Sequence, residues 1–193
     1  MSVAVVLIIS EILMTDATRL NVRDRHKVVW PTLMQVLRNP SYLIAFGFGI
    51  GLLRPGSGTW GSLLAAVMWP AMFAWLPEPM LGIFIILAFV LGCVACGRAG
   101  RRLGVDDHVG MVWDEMVAVW MLLWALPNNA YAIVIAVILF RVFDVTKPFP
   151  IRTVDARVKG GVGVMLDDVL AAVYAWVITF GLLQGMSYFG VGQ

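Results

Sequence analysis

Residues 159–191 read KGGVGVMLDDVLAAVYAWVITFGLLQGMSYFGV, and this stretch decides the class of fold. The part from Val169 to Val191 is apolar and uncharged. It is long enough to cross the hydrocarbon core of a bilayer, which takes about 20 residues. Two adjacent carboxylates, Asp167 and Asp168, stand immediately before it. A charge at membrane depth costs roughly 3 kcal/mol or more, so such acids usually have a partner, an ion or a chemical task.

The composition of the whole chain leads to the same class. Its 193 residues are 61% hydrophobic and only 13% charged, with a mean hydropathy of +0.88. Soluble domains carry about 25% charged residues, so lipid must cover much of this surface. We therefore expect an all-α, polytopic helical membrane protein. The net charge of +2 gives no indication of a nucleic-acid partner, and the sequence allows no protein partner to be inferred.

Basic residues are distributed unevenly between the ends of the apolar runs. The turns at 77–79 and 127–130 carry none, and positive loops remain in the cytoplasm. We therefore predict that polar helix ends and loops form a pocket at the cytoplasmic face. Residues 1–37 are predicted to be an amphipathic, basic extension, and 38–193 the membrane-embedded domain. The predicted helical runs are 63–76, 80–97, 111–126, 130–143 and 169–191, and the glycine-rich run 42–53 could be re-entrant.

Acidic residues also occur at the ends of two other apolar runs. Asp114 and Glu115 open one helix, and Asp144 lies between Arg141 and Lys147 near the end of another. A carboxylate between two cations suits a metal ion together with a phosphate, because the metal takes the carboxylate and the cations take phosphate oxygens. The pattern predicts a metal-dependent active site that acts on a phosphorylated lipid headgroup.

Two glycine-rich segments are candidate anion sites. Residues 159–168 are predicted to be a loop whose backbone amides approach an anion before Asp167 and Asp168. In the segment 55–62, Thr59 and Ser62 at a helix start offer a second anion site, with simple N-capping by Thr59 as the alternative. His108 is expected to be a solvated loop residue.

Four segments together resemble the phosphatidylglycerophosphatase A family, which comprises bacterial inner-membrane lipid phosphatases. They are Gly58-Thr59-Trp60-Gly61-Ser62, 107–115, 140–151 and 160–168, and the resemblance covers about residues 38–185. It implies Mg²⁺-dependent hydrolysis of the terminal phosphomonoester of phosphatidylglycerophosphate, giving phosphatidylglycerol and phosphate. It also implies a location in the bacterial cytoplasmic membrane.

Roles follow from the residues and the resemblance together. Asp114, Asp144 and Asp168 are predicted to bind Mg²⁺, with Glu115 and Asp167 as further ligands or as the base that activates water. A covalent aspartyl-phosphate at Asp144 is the competing chemistry. The predicted phosphate-binding residues are Thr59, Ser62, Arg141, Lys147 and Arg152.

Two other functions are compatible with acids in a membrane protein. One is a non-enzymatic transporter coupled to ions or protons, which would place its acids near mid-bilayer on facing helices. The other is a membrane phosphotransferase that acts on lipid headgroups, although its expected acidic signature is absent here.

Overall fold

The computed structural model describes residues 29–188 of the chain, and side chains up to residue 186. The chain divides into two compact units, Met1–Trp30 and Pro31–Gln193. Most of the predicted extension 1–37 therefore lies outside the described residues, and the proposed domain boundary stays a prediction.

Every regular element between residues 29 and 188 is helical, which confirms the all-α expectation for this part of the chain. A 3₁₀ helix, Gly47–Leu52, lies in the glycine-rich segment for which a re-entrant path was one option, and its backbone kinks at Phe48 and Gly49. The α-helices are α1 (Leu33–Arg38), α2 (Pro40–Ala45), α3 (Ser57–Trp75), α4 (Glu78–Leu103), α5 (Trp113–Trp124), α6 (Ala130–Thr146), α7 (Ile151–Arg157) and α8 (Gly160–Tyr188).

Helix α8 is the centre of the bundle and packs against α4, α5, α6 and α7. Helix α5 is only 12 residues long, is apolar on all sides after its first turn, and is almost entirely buried. A helix that is apolar all round has to be covered on every side, and α3, α4, α6 and α8 supply this cover. Tryptophan indoles join α5 to its neighbours, since Trp113 donates to the carbonyl of Ala88 and Trp120 to that of Ala65.

Two helices in the described part are long and apolar enough to cross a membrane, α4 and the Gly160–Met186 part of α8. The exposed positions of α4 between Met80 and Val94 are all apolar. Contiguous apolar surface of this size marks a membrane or protein contact rather than a surface facing water. The structure therefore agrees with membrane association.

The glycine-rich segment 159–168 is not the predicted loop, because α8 already begins at Gly160. A Cβ atom at Gly161 would lie 1.8 Å from the carbonyl oxygen of Cys93, and one at Gly163 would lie 2.0 Å from that of Val158. Gly161 thus permits close packing of α8 on α4, and Gly163 permits the non-helical residue Val158 to approach the first turn of α8. Asp168 is consequently about 12 Å inside the helix at 1.5 Å per residue, and not at its mouth.

Several other boundaries differ from the predicted ones, and two of these differences are large. Helix α3 starts at Ser57, six residues before the predicted start at residue 63. Helix α4 continues to Leu103 and ends where Gly104 adopts a left-handed conformation, φ 72°. Both extensions consist largely of polar residues and glycine, so the apolar runs in the sequence end before the helices do.

Gly161→Ala should strongly destabilise the bundle, since its Cβ would overlap backbone rather than a movable side chain. Overpacking of this kind costs about 1–3 kcal/mol or more. Gly181→Ala on the same helix is the matched control, because nothing lies within 4 Å of its Cβ, and it should be neutral or slightly stabilising. Thermal unfolding in detergent measures both, and equal midpoints would contradict the packing role of Gly161.

Candidate active site

The first turn of α5 places two carboxylates inside the bundle. Asp114 is 6% exposed, and the side chain of Glu115 is 13% exposed. The positive end of the helix dipole favours acids at this position. Adjacent helical residues point about 100° apart, so the two carboxylates face different neighbours.

Glu115 faces α6, where one guanidinium holds two carboxylates. Arg141 Nη1 lies 3.1 Å from Glu115 Oε1 and 2.6 Å from Asp144 Oδ2. The second oxygen of Glu115 is buried and has no hydrogen-bond partner. Glu115 is therefore fixed through one oxygen while the other remains open to a ligand.

The start of α3 lies directly against this pair. A Cβ atom at Gly58 would lie 1.8 Å from Glu115 Oε1 and 2.9 Å from Arg141 Nη1, and one at Gly61 would lie 3.3 Å from Glu115 Oε2. These two glycines leave the room that the Glu115 carboxylate occupies. The role of the motif around Gly58 is thus at least partly steric, which the sequence interpretation did not foresee.

Lys147 ends α6 in a left-handed conformation, φ 42°, and forms the second ionic group. Its Nζ lies 2.5 Å from Asp167 Oδ2 and 3.3 Å from Asp155 Oδ2. Burial lowers the pKa of Lys147, but the charge and hydrogen bond of Asp167 outweigh that effect, so its pKa is raised overall. The ammonium group stays positive at every physiological pH.

The carboxylates of this region outnumber the cations available to them. Five predicted site acids share only Arg141 and Lys147 as ion-pair partners among the described residues. Buried oxygens without a hydrogen-bond partner remain on Asp114, Glu115 and Asp168. A buried unpaired carboxylate is costly unless it takes up a proton or a cation, so this group of atoms is suited to bind a cation.

No three acidic, histidine or cysteine side chains in residues 29–188 surround one point closely enough to form a ready metal cage. Magnesium seldom uses such a cage, since it keeps several waters and binds through one or two carboxylates plus substrate phosphate. The oxygen chemistry and the unpartnered atoms therefore fit Mg²⁺ in a site that a phosphate would complete.

The predicted phosphate ligands differ in their positions. Arg141 and Lys147 lie among the acids, as described above. Ser62 is buried and donates to the carbonyl of Gly58 at 2.9 Å. Thr59 is exposed within the first turn of α3, and because Gly56 occupies the N-cap position, simple N-capping by Thr59 is wrong. Arg152 is exposed on α7.

The sequence interpretation missed two acids and misjudged a histidine. Asp155 pairs with Lys147. Partial desolvation raises the pKa of the Asp107 carboxyl and the charge of Asp167 raises it further, although Asp107 is an exposed residue. Asp107 opens the second of the four motifs, which was the available signal. His108 is fully buried instead of solvated, and its Nδ1 accepts a hydrogen bond from the amide of Gly110 at 3.0 Å.

Comparison with known proteins assigns this arrangement to a family. A family described as Phosphatidylglycerophosphatase A matches residues 43–183, which include every acid named above. The chain belongs to the phosphatidylglycerophosphatase A family.

Curated relatives of this phosphatidylglycerophosphatase A family member agree with the assignment. Phosphatidylglycerophosphatase A of Haemophilus influenzae is 44% identical over 78% of this chain and 93% of its own length. The Escherichia coli protein of the same name is 39% identical over 80% of this chain and 89% of its own. A Bacteroides thetaiotaomicron protein, provisionally named a phosphatidylinositol-3-phosphatase, is 38% identical over 74% and 94%. No solved structure matches the chain.

Arg141→Gln should destabilise this family member, because it leaves Glu115 and Asp144 without their shared cation. The loss should approach the roughly 3 kcal/mol that breaking a buried ion pair costs. Adding Glu115→Gln should recover part of the stability but none of the activity. Unfolding midpoints of the single and double variants measure the effect, and a double variant as unstable as the sum of both singles would contradict the coupling.

Proposed function

We propose that the chain hydrolyses the terminal phosphomonoester of phosphatidylglycerophosphate to phosphatidylglycerol and phosphate. Family membership suggests the substrate. The observation that carries the proposal is the group of unpartnered carboxylate oxygens on Asp114, Glu115 and Asp168 beside two fixed cations. A phosphate ester together with a divalent cation satisfies both sets of groups at once.

Asp114 and Asp168 are the proposed principal ligands for Mg²⁺, because each has a buried oxygen without a partner. When bound, the ion would neutralise phosphate charge and lower the pKa of a coordinated water. Asp144 and Asp167 would contribute less directly, since Arg141 and Lys147 engage one oxygen of each. The two cations would in turn stabilise the charge that develops on the phosphoryl oxygens.

Glu115 is the acid best placed to serve as general base. One of its oxygens is held by Arg141, and the other is buried without a partner. A base oriented in this way takes a proton from the attacking water as the water oxygen bonds to phosphorus. The bond from phosphorus to the glycerol oxygen breaks, and that oxygen leaves as the alcohol after protonation. Direct attack by Asp144 is the competing chemistry, and it would have to use the oxygen that Arg141 does not hold.

We further propose that the site faces the cytoplasm of a multi-pass membrane protein. Arg98, Arg101 and Arg102 end α4, and Arg157 and Lys159 flank the start of α8; all are exposed. Since α4 and α8 meet where Gly161 contacts Cys93, these basic residues share one end of the bundle. Positive charge there favours the cytoplasmic side.

Phosphate release by the purified protein tests the function. Phosphatidylglycerophosphate, an inositol lipid monophosphate and a nucleotide-activated lipid are offered separately in detergent. Release from the first substrate supports the proposal, and preference for the second would instead favour the substrate class in the name of the Bacteroides relative. Transfer from the activated lipid without hydrolysis would identify a phosphotransferase. Ion flux in liposomes without any turnover would identify a transporter.

Magnesium dependence has two separate readouts. Excess chelator should abolish turnover, and Mg²⁺ should raise the unfolding midpoint of the wild-type protein, because a ligand that binds only the folded state stabilises it. Asp168→Asn should lose turnover and most of the Mg²⁺ shift. Asp106→Asn, at an exposed loop position, is the control that should retain both. Full activity in excess chelator would remove the metal from the proposal.

The variant Lys147→Arg tests whether Lys147 binds the substrate phosphate or only provides positive charge on the cytoplasmic side. An anchor needs only charge, whereas a compact ammonium held by Asp167 is not replaced by a broad, planar guanidinium. We expect kcat/KM to fall about tenfold, which corresponds to roughly 1.4 kcal/mol of transition-state stabilisation. The kcat/KM of Lys147→Ala should fall further. Lys159→Ala, at an exposed lysine, should remain near wild type; equal effects at both positions would favour the anchor.

A further inference from the structure

An apolar groove lies between α5 and α8, next to the acid cluster. The acid cluster comprises Asp114, Glu115, Asp144, Asp167 and Asp168. Its volume is about 160 Å³. No charged side chain lines it, and Val169, which directly follows Asp168, forms part of its wall. The other lining residues are Met121 and Leu122 on α5, Ala125 directly after α5, and Ala172, Val173 and Trp176 on α8.

Groove-lining residues and acids lie on the same sides of both helices. Ala172 follows Asp168 by one helical turn, and Met121 follows Asp114 by two. Residues at these spacings lie on the same side of a helix. From Val169 to Trp176 the groove extends about 10 Å along α8 at 1.5 Å per residue. On each helix, therefore, a carboxylate and residues that line the groove lie on the same side.

A hydrogen bond connects the two walls of the groove. Trp176 Nε1 donates to the carbonyl oxygen of Ala125 at 3.0 Å, which ties α8 to the end of α5. The indole N–H is thereby satisfied and offers nothing to a polar ligand. Small side chains at Ala125 and Ala172 leave the space open. The groove thus has apolar walls, and Val169 in its lining directly follows Asp168.

The apolar lining determines which kind of ligand the groove can bind. A water molecule or a polar group would need hydrogen-bond partners that the lining does not provide. A hydrocarbon chain needs none. If the proposed function holds, the ester whose phosphate binds at the acids also carries two acyl chains. We propose that the groove takes the first part of one of these chains and thereby positions the phosphoryl group at the acid cluster.

Ala172→Phe tests this proposal by filling the groove. The variant should lose about tenfold or more in kcat/KM on long-chain phosphatidylglycerophosphate, and little on its deacylated, water-soluble headgroup. Val177→Phe, at an exposed position on the same helix outside the groove, is the matched control and should affect neither substrate. Equal losses of Ala172→Phe on both substrates, or no loss on either, would overturn the proposal.

A second measurement does not depend on turnover. Phosphatidylglycerophosphate with a photoreactive group near the start of one acyl chain should label residues 121–125 and 169–176, located by mass spectrometry. Phosphatidylcholine with the same group is the control and should label these segments much less. Equal labelling by both lipids would overturn the proposal by showing an ordinary lipid contact. If wild-type protein releases no phosphate but labelling stays selective, the proposed function fails and the groove assignment stands.

Discussion

The burial of several carboxylates among apolar helices is the constraint on which the rest of this structure depends. Asp114, Asp167 and Asp168 are nearly inaccessible, and each buried charge has to be compensated inside the protein. Arg141 and Lys147 each hold more than one acid. This sharing leaves particular oxygens without partners. These buried carboxylate oxygens destabilise the folded state when they have no partner, and they are also the atoms that can bind a cation.

Glycines make this crowded arrangement sterically possible. Gly58 gives the Glu115 carboxylate its place beside α3, and Gly161 brings α8 against the backbone of Cys93. In each case an added Cβ would lie 1.8 Å from an existing oxygen. The two contacts differ in kind, since a side chain can move aside and a backbone carbonyl cannot. Gly58 therefore influences the geometry of the acids, whereas Gly161 determines whether the helices pack.

Much of the candidate site could be predicted because charge in an apolar chain is rare and conspicuous. Asp114, Glu115, Asp144 and Lys147 stood out for that reason, and the contacts place Arg141 among them. The extent of α8 could not be predicted in the same way. Gly160, Gly161 and Gly163 are typical of a loop when read locally, and only their contacts explain why they lie in a helix.

Which cation pairs with which carboxylate could not be predicted from the sequence either. Helical spacing placed Arg141 beside Asp144, and the structure agrees. The same spacing suggested that Lys147 shares Asp144, whereas Lys147 instead reaches Asp167 and Asp155 on two later helices. Such contacts depend on how α6 ends and where α8 passes, which are tertiary properties. Asp107 was overlooked because it lies in a polar loop where a single carboxylate is unremarkable.

The short length of α5 links the polar and apolar parts of the proposed site. At 12 residues it spans about 18 Å, far less than α4 or α8, so its acidic first turn lies well inside the bundle. Asp168 lies about 12 Å from the start of α8 and, like Asp114, is buried. A phosphate at these acids would be below the surface from which the basic residues project, close to where a headgroup joins its acyl chains. A lipid could then present its phosphomonoester without leaving the bilayer, with the groove along α5 and α8 receiving the chain that remains in it.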